Sequence, residues 1–171
     1  MKKITAFLKF EQGFTLIELI IVFSIIAILS TVGIASFVQF SRYQALQAGA
    51  NEFITALNYA KSSAASQLIP SPSGSCNGSL RSYRVDFSTA SGSNTRYTIT
   101  AICDLSSPVV QTYTLPKNVT FAASYGGQNT TTTSIVFPVI NGGITGTGQV
   151  VILGFTNLSR VVTISPSGII K

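Results

Sequence analysis

From Phe14 to Val38 the chain is apolar at nearly every position, broken only by Thr15, Glu18, Ser24, Ser30, Thr31, Gly33 and Ser36. A helix of about 25 such residues, rising 1.5 Å per residue, is long enough to cross a hydrocarbon core of about 30 Å. The pattern then narrows to a stripe. Leu46, Ala50, Phe53, Leu57, Ala60, Ala64 and Leu68 recur at steps of four and three, with Gln47, Asn51, Glu52, Asn58, Lys61 and Ser62 between them. That period predicts an amphipathic helix, ended by Pro70 and Pro72. Residues 14–68 would make a rod of about 80 Å, its first half suited to lipid and its second to packing on a head domain.

Residues 69–82, "IPSPSGSCNGSLRS", form a connector rich in Pro, Ser and Gly, and beyond it the period changes to two. Strands are expected at 83–87 and 96–103, paired as a hairpin, then at 109–115, 118–122, 134–139, 148–155 and 160–165, with a short piece at 168–170. Gly142, Gly143 and Asn157 mark turns, and "SYGGQNTTTT", residues 124–133, reads as an exposed loop. The fold class is therefore α+β: a long N-terminal helix, membrane-spanning in its first half, packed on an antiparallel head of one sheet or two small ones. The segments are a leader at 1–13, an anchoring helix at 14–40, its amphipathic continuation at 41–69 and a β-rich head at 70–171.

Composition limits what the head does. The chain has 171 residues with 9% charged side chains and no His. The usual general base and most metal sites are therefore missing, and Glu52, Asp86 and Asp104 are too scattered to act as a carboxylate pair. No enzyme, cofactor or metal centre is expected. The formal net charge is +6, with Lys2, Lys3 and Lys9 ahead of the apolar run. Without that leader the balance is about +4, a level that serves solubility before it serves nucleic acid. Basic residues before the run place the N-terminus on the cytoplasmic side and the remainder outside. In that oxidising setting Cys76 and Cys103 either form a disulfide, closing a loop of about 28 residues, or stay as two buried thiols. Asn-x-Ser/Thr sequons start at Asn77, Asn118, Asn129 and Asn157, and are read as chance occurrences.

One acid inside a lipid-suited run needs a reason. A secretory signal peptide, cut near "VGIAS" at 32–36, is the ordinary alternative, but its apolar core is shorter and carries no carboxylate. Glu18 is costly in lipid unless it finds a partner. "GFTLIE", residues 13–18, resembles the processing site of type IV prepilins and of the pseudopilins of type II secretion. The resemblance implies cleavage after Gly13 by a membrane prepilin peptidase, N-methylation of Phe14, and a role for Glu18 in assembly. There the carboxylate pairs with the terminal amine of a neighbouring subunit, removing a buried unpaired charge and setting register. Ala35 stands where many members have proline, so less bending is expected there.

The end of the chain, residues 133–171, resembles the closing region of H-type pseudopilins and FimT-type minor pilins. The matching features are Phe137, Gly142 and Gly143, strands at 150–152 and 161–164, then Ser165 and Gly168; "LNYAKSSAAS" at 57–66 adds to the likeness, with Lys61 in place of a common Arg. This implies a minor pilin or pseudopilin that assembles into, initiates or caps a filament, with a major pilin as the structural alternative. Its partners would be the prepilin peptidase, other pilin subunits, an inner-membrane assembly platform and, before assembly, membrane lipid. The protein would sit as a single pass in the inner membrane with an exported head, and afterwards in an extracytoplasmic filament. The alternative of another class is a DNA-binding subunit for uptake, using Arg81, Arg84, Arg96, Lys117, Arg160 and Lys171 on phosphates.

Overall fold

A computed structural model describes residues 13–69, 76–125, 132–140, 143–145, 149–155 and 157–171. The contacts divide the chain into two units, one ending at Phe40 and the other running from Ser41 to Lys171. One helix, α1 (Leu16–Ala65), enters both.

In the first unit every described side chain of α1 is exposed, including Ile17, Phe23, Ile28, Leu29, Ile34 and Phe37. Glu18 is the sole charge between Gln12 and Ser41. Among the described residues, which leave out the side chains at 31–33 and 35, no helix is long and apolar enough to cross a membrane.

The second unit is an antiparallel head of two sheets packed against residues 41–65 of α1. The four-stranded sheet has the order β3-β2-β1-β5, from β1 (Leu80–Ser88), β2 (Arg96–Cys103), β3 (Val109–Thr114) and β5 (Thr132–Pro138). The three-stranded sheet has the order β4-β6-β7, from β4 (Thr120–Tyr125), β6 (Gln149–Phe155) and β7 (Leu158–Ile164). The hairpin expected from the sequence pairs Tyr83 with Ala101, Val85 with Ile99 and Phe87 with Tyr97. Ile170 bridges to Ile164, so the expected terminal piece adds a short rung to β7.

The helical stripe is buried as its period requires. Leu46, Ala50, Phe53, Ala56, Leu57, Ala60 and Ala64 are at most 2% exposed. They meet the inward-facing alternation of the strands: Tyr83, Val85 and Phe87 from β1, Tyr97, Ile99 and Ala101 from β2, and Phe121 from β4. At the centre, the Phe53 ring lies 5.2 Å from Tyr97, 5.2 Å from Phe121 and 5.8 Å from Phe87, all edge-on. Edge-to-face pairs add about 0.5–1.5 kcal/mol beyond area burial. Gly49 lets the helix come close to the turn before β4, since a Cβ there would stand 3.1 Å from Pro116 Cδ. Tyr97 also stacks on Tyr113, centroids 5.0 Å apart, and its buried hydroxyl has no hydrogen-bond partner among the described residues. Burial pushes its pKa well above the usual phenol value.

Several expectations change. The helix stops at Ala65, before the prolines, because Gln67 takes a left-handed conformation, φ 52°. The Leu68 N–H then bonds Ser63 O at 2.9 Å and the Gln67 N–H bonds Ala64 O at 3.2 Å, the two bonds of a Schellman end. Leu68, expected in the stripe, is thereby left half exposed. Its carbonyl is not wasted, for it accepts the buried Tyr83 hydroxyl at 2.6 Å. β1 begins at Leu80, inside the stretch read as connector, where it pairs with Cys103. β4 begins at Thr120, since Asn118 turns the chain with φ 66°. It runs to Tyr125, and β5 starts at Thr132, so both ends of the expected 124–133 loop are strand. The centre of that loop, Gly142 of the expected turn and the expected helix-stopping Pro70 and Pro72 lie outside the described residues.

Two stability measurements follow from this packing. Phe53→Ala, which empties the contact point of helix and both sheets, should cost about 3–5 kcal/mol in denaturant unfolding followed by near-UV tyrosine dichroism. Gln67→Gly should stabilise the same transition by up to about 1 kcal/mol, because glycine accepts the left-handed position without strain.

Candidate processing and assembly site

Gly13 and Phe14 precede α1 in non-helical, exposed backbone, Phe14 being 82% exposed. A Cβ added at Gly13 would meet nothing within 4 Å. The helix starts immediately afterwards for a local reason. Thr15 is its N-cap: the Glu18 N–H donates to Thr15 Oγ1 at 3.3 Å and the Leu19 N–H to the Thr15 carbonyl at 3.2 Å. With Glu18 in the first turn, Thr15-x-x-Glu18 has the spacing of a capping box, and the carboxylate stands where the helix dipole favours it. The three residues expected to carry processing and assembly therefore lie within six consecutive positions, all exposed. The T-x-x-E spacing of Thr15 and Glu18 is the one sequence signal for this cap.

The cysteines form a disulfide, Cys76 to Cys103, with Cα atoms 5.6 Å apart. It ties the end of the connector to the last residue of β2 and sits in a dense corner. The Ser79 N–H donates to Asp104 Oδ2 at 2.9 Å, and Arg81 Nε pairs with Asp104 Oδ1. The Leu105 N–H bonds Asn77 O at 3.0 Å, and the Asn77 N–H bonds Ser106 Oγ at 2.8 Å. Gly78 (φ 86°) permits this closeness, since a Cβ there would lie 2.7 Å from Asp104 Cβ. The Ser79 N–H first, and Arg81 second, hold the Asp104 carboxyl below the usual carboxylate range.

The six cations proposed for phosphate contact do not gather on one strand. Arg81 is engaged by Asp104, and Arg84 Nε bonds Asp86 Oδ2 at 2.8 Å on the same face of β1. Arg96 stands opposite Thr114 at the start of β2. Lys117 is in the turn between β3 and β4, whereas Arg160 is on β7 and Lys171 beside it, paired through its backbone with Thr163. A different cation has an evident task. Lys61, on the polar helix face, donates from Nζ to the Gly168 carbonyl at 2.9 Å and clasps the C-terminal turn to α1. Among the described residues no group of three or more His, Cys, Asp and Glu is placed to hold a metal ion.

Residues 8–34 match the family model described as the prokaryotic N-terminal methylation motif. The match supports a type IV pilin-like protein; its motif implies processing by a prepilin peptidase and assembly with other pilins. No curated protein and no solved structure matches the chain.

The Asp104 corner yields a pH-dependent expectation. A carboxyl held low in the fold stabilises above its unfolded pKa of about 4, and that contribution fades as pH falls through the folded value. Asp104→Asn should therefore lower the denaturation midpoint near neutral pH and approach the parent in acid, as pH falls through the folded carboxyl's lowered value. Equal offsets at both pH values would remove the carboxylate from this role.

Proposed function

We propose that the chain is a minor pilin or pseudopilin, cut after Gly13, N-methylated at Phe14, and assembled through its N-terminal helix to initiate or cap a filament. The observation that supports this most is the junction itself. An exposed Gly13–Phe14 junction is followed at once by a capped helix whose described side chains up to Phe40 are exposed, largely apolar, and carry Glu18 as their one charge. Such a surface needs a non-aqueous cover. Lipid supplies it before assembly, as a single pass at 14–40 with the head exported, and neighbouring helices supply it afterwards.

Glu18 then selects between those covers. An acid in hydrocarbon is costly, and the terminal amine released at Phe14 of an adjacent subunit is its natural partner. The likeness of residues 133–171 to H-type pseudopilins and FimT-type minor pilins favours an initiating or capping subunit over a major one. The role is structural rather than catalytic. Pairing of Arg81 and Arg84 with acids, and the separation of Arg160 and Lys171 on the other sheet, favour this reading over DNA uptake.

Processing and assembly separate experimentally. Gly13→Val should leave the leader attached, read as an uncut mass, and abolish incorporation into filaments. Glu18→Leu should be cut and methylated normally, yet fail to enter sheared filaments. Normal incorporation of Glu18→Leu would defeat the assembly role, and stoichiometry in those filaments separates minor from major subunit.

A further inference from the structure

Beyond the last rung of the β1–β2 ladder, Leu80 opposite Cys103, the two segments stay joined. The Asp104 N–H donates to the Ser79 carbonyl at 3.1 Å, and the Leu105 N–H to the Asn77 carbonyl at 3.0 Å. The Ser79 N–H returns a bond to Asp104 Oδ2 at 2.9 Å, the Asn77 N–H donates to Ser106 Oγ at 2.8 Å, and Arg81 pairs with Asp104. Cys103 is also fixed from its own side, because its N–H closes a turn onto the Ser106 carbonyl at 2.9 Å. The residues directly after the two cysteines, Asn77 and Asp104, are therefore each bonded into the stretch that follows the other cysteine.

None of these contacts requires a sulfur–sulfur bond. The span they close holds the Cα atoms of Cys76 and Cys103 at 5.6 Å, inside the range that a disulfide needs. The two sulfurs are unequally reached: Cys103 is 6% exposed and belongs to the core, whereas Cys76 is half-buried and packs against it. Asp104 takes part on both sides, through its carboxylate and through its own N–H.

We infer that this corner closes before the disulfide exists, and that Asp104 is the positioning residue that brings Cys76 and Cys103 together for oxidation. The bridge is then a covalent lock, added to a corner already in register by a disulfide oxidant. Cys76, the more exposed, attacks that oxidant as a thiolate, forms a mixed disulfide and releases one thiolate. The Cys103 thiolate attacks the Cys76 sulfur and expels the second. Two protein thiols thereby lose two electrons and two protons, and the oxidant becomes two thiols. In the opposite order, oxidation would join thiols 27 residues apart on a flexible chain. Their effective concentration would then be on the order of millimolar. This lock concerns the head alone and stands apart from the filament reading.

The experiment is oxidation of the reduced full chain in detergent micelles by oxidised glutathione, read by thiol trapping and mass, with amide hydrogen exchange on the same sample. In the reduced chain the Ser79, Asp104 and Leu105 amides should keep their protection within about tenfold of the oxidised chain. Asp104→Ala should lower the effective concentration of the two thiols by at least about tenfold, the factor carried by one hydrogen bond to a charged group. Asp104→Asn, which keeps an acceptor for the Ser79 N–H, should fall between. In denaturant all three chains should oxidise alike. Val162→Ala, in the other sheet and fully buried, should lower stability yet leave the effective concentration unchanged. Loss of that amide protection on reduction overturns the inference, since the bridge would then be what closes the corner. So does an Asp104→Ala chain whose thiols pair as readily as the parent's, or a Val162→Ala chain that loses as much as Asp104→Ala.

Discussion

Burial of the Phe53 ring is the interaction on which the head depends. It comes from the helix, touches Phe87 and Tyr97 of one sheet, and touches Phe121 of the other. Neither sheet is closed, and a three-stranded sheet has little stability without a surface to pack on. The helix supplies that surface to both sheets, and Gly49 brings it near enough to the turn before β4 for the contact to form. Secondary ties then hold the periphery: Tyr83 to the helix end, Lys61 to the C-terminal turn, and the disulfide corner to the tip of β2.

The two halves of α1 obey opposite rules on one continuous backbone. From Ser41 onward, apolar residues are confined to positions that meet strands, and polar ones fill the remainder. Before Ser41 the distinction vanishes, and apolar side chains point in every direction. A helix apolar all round is suited to a buried or lipid setting, while one with a stripe is suited to a domain surface. The change between the two coincides with the boundary between the contact units, at Phe40 and Ser41.

Much of this was legible in residue order because local signals agreed with the global fold. The stripe from Leu46 to Ala64 and the alternation of Tyr83, Val85 and Phe87 point to the faces that are buried. β2 has the bounds expected for it, Arg96 to Cys103, because a Ser/Gly/Asn turn marks its start. What failed was punctuation. Gln67 is an unusual left-handed residue, so the helix end was assigned to the more obvious prolines. The threonines at 132 and 133 looked like loop because they carry no apolar signal, although β-branched residues suit an edge strand. The division into two sheets could not be chosen, because pairing partners far apart in sequence leave no local mark. At the N-terminus the chemistry was plain in "GFTLIE", but Thr15 as the cap beside Glu18 became apparent only once the helix start was placed.

The position of that cap has a consequence for the proposed cleavage. A helix carries partial positive charge at its N-terminus, and the bond after Gly13 lies one residue before the N-cap. While the leader is attached, this place holds a neutral amide. Cutting replaces it with an ammonium group, set against the end of a dipole of the same sign. Methylation leaves that charge in place. Proteolysis would thus do more than shorten the chain: it would add a full positive charge at the tip of the helix, beside the partial charge that the chain's own Glu18 already faces, and so strengthen the pull of each newly cut subunit on a further carboxylate.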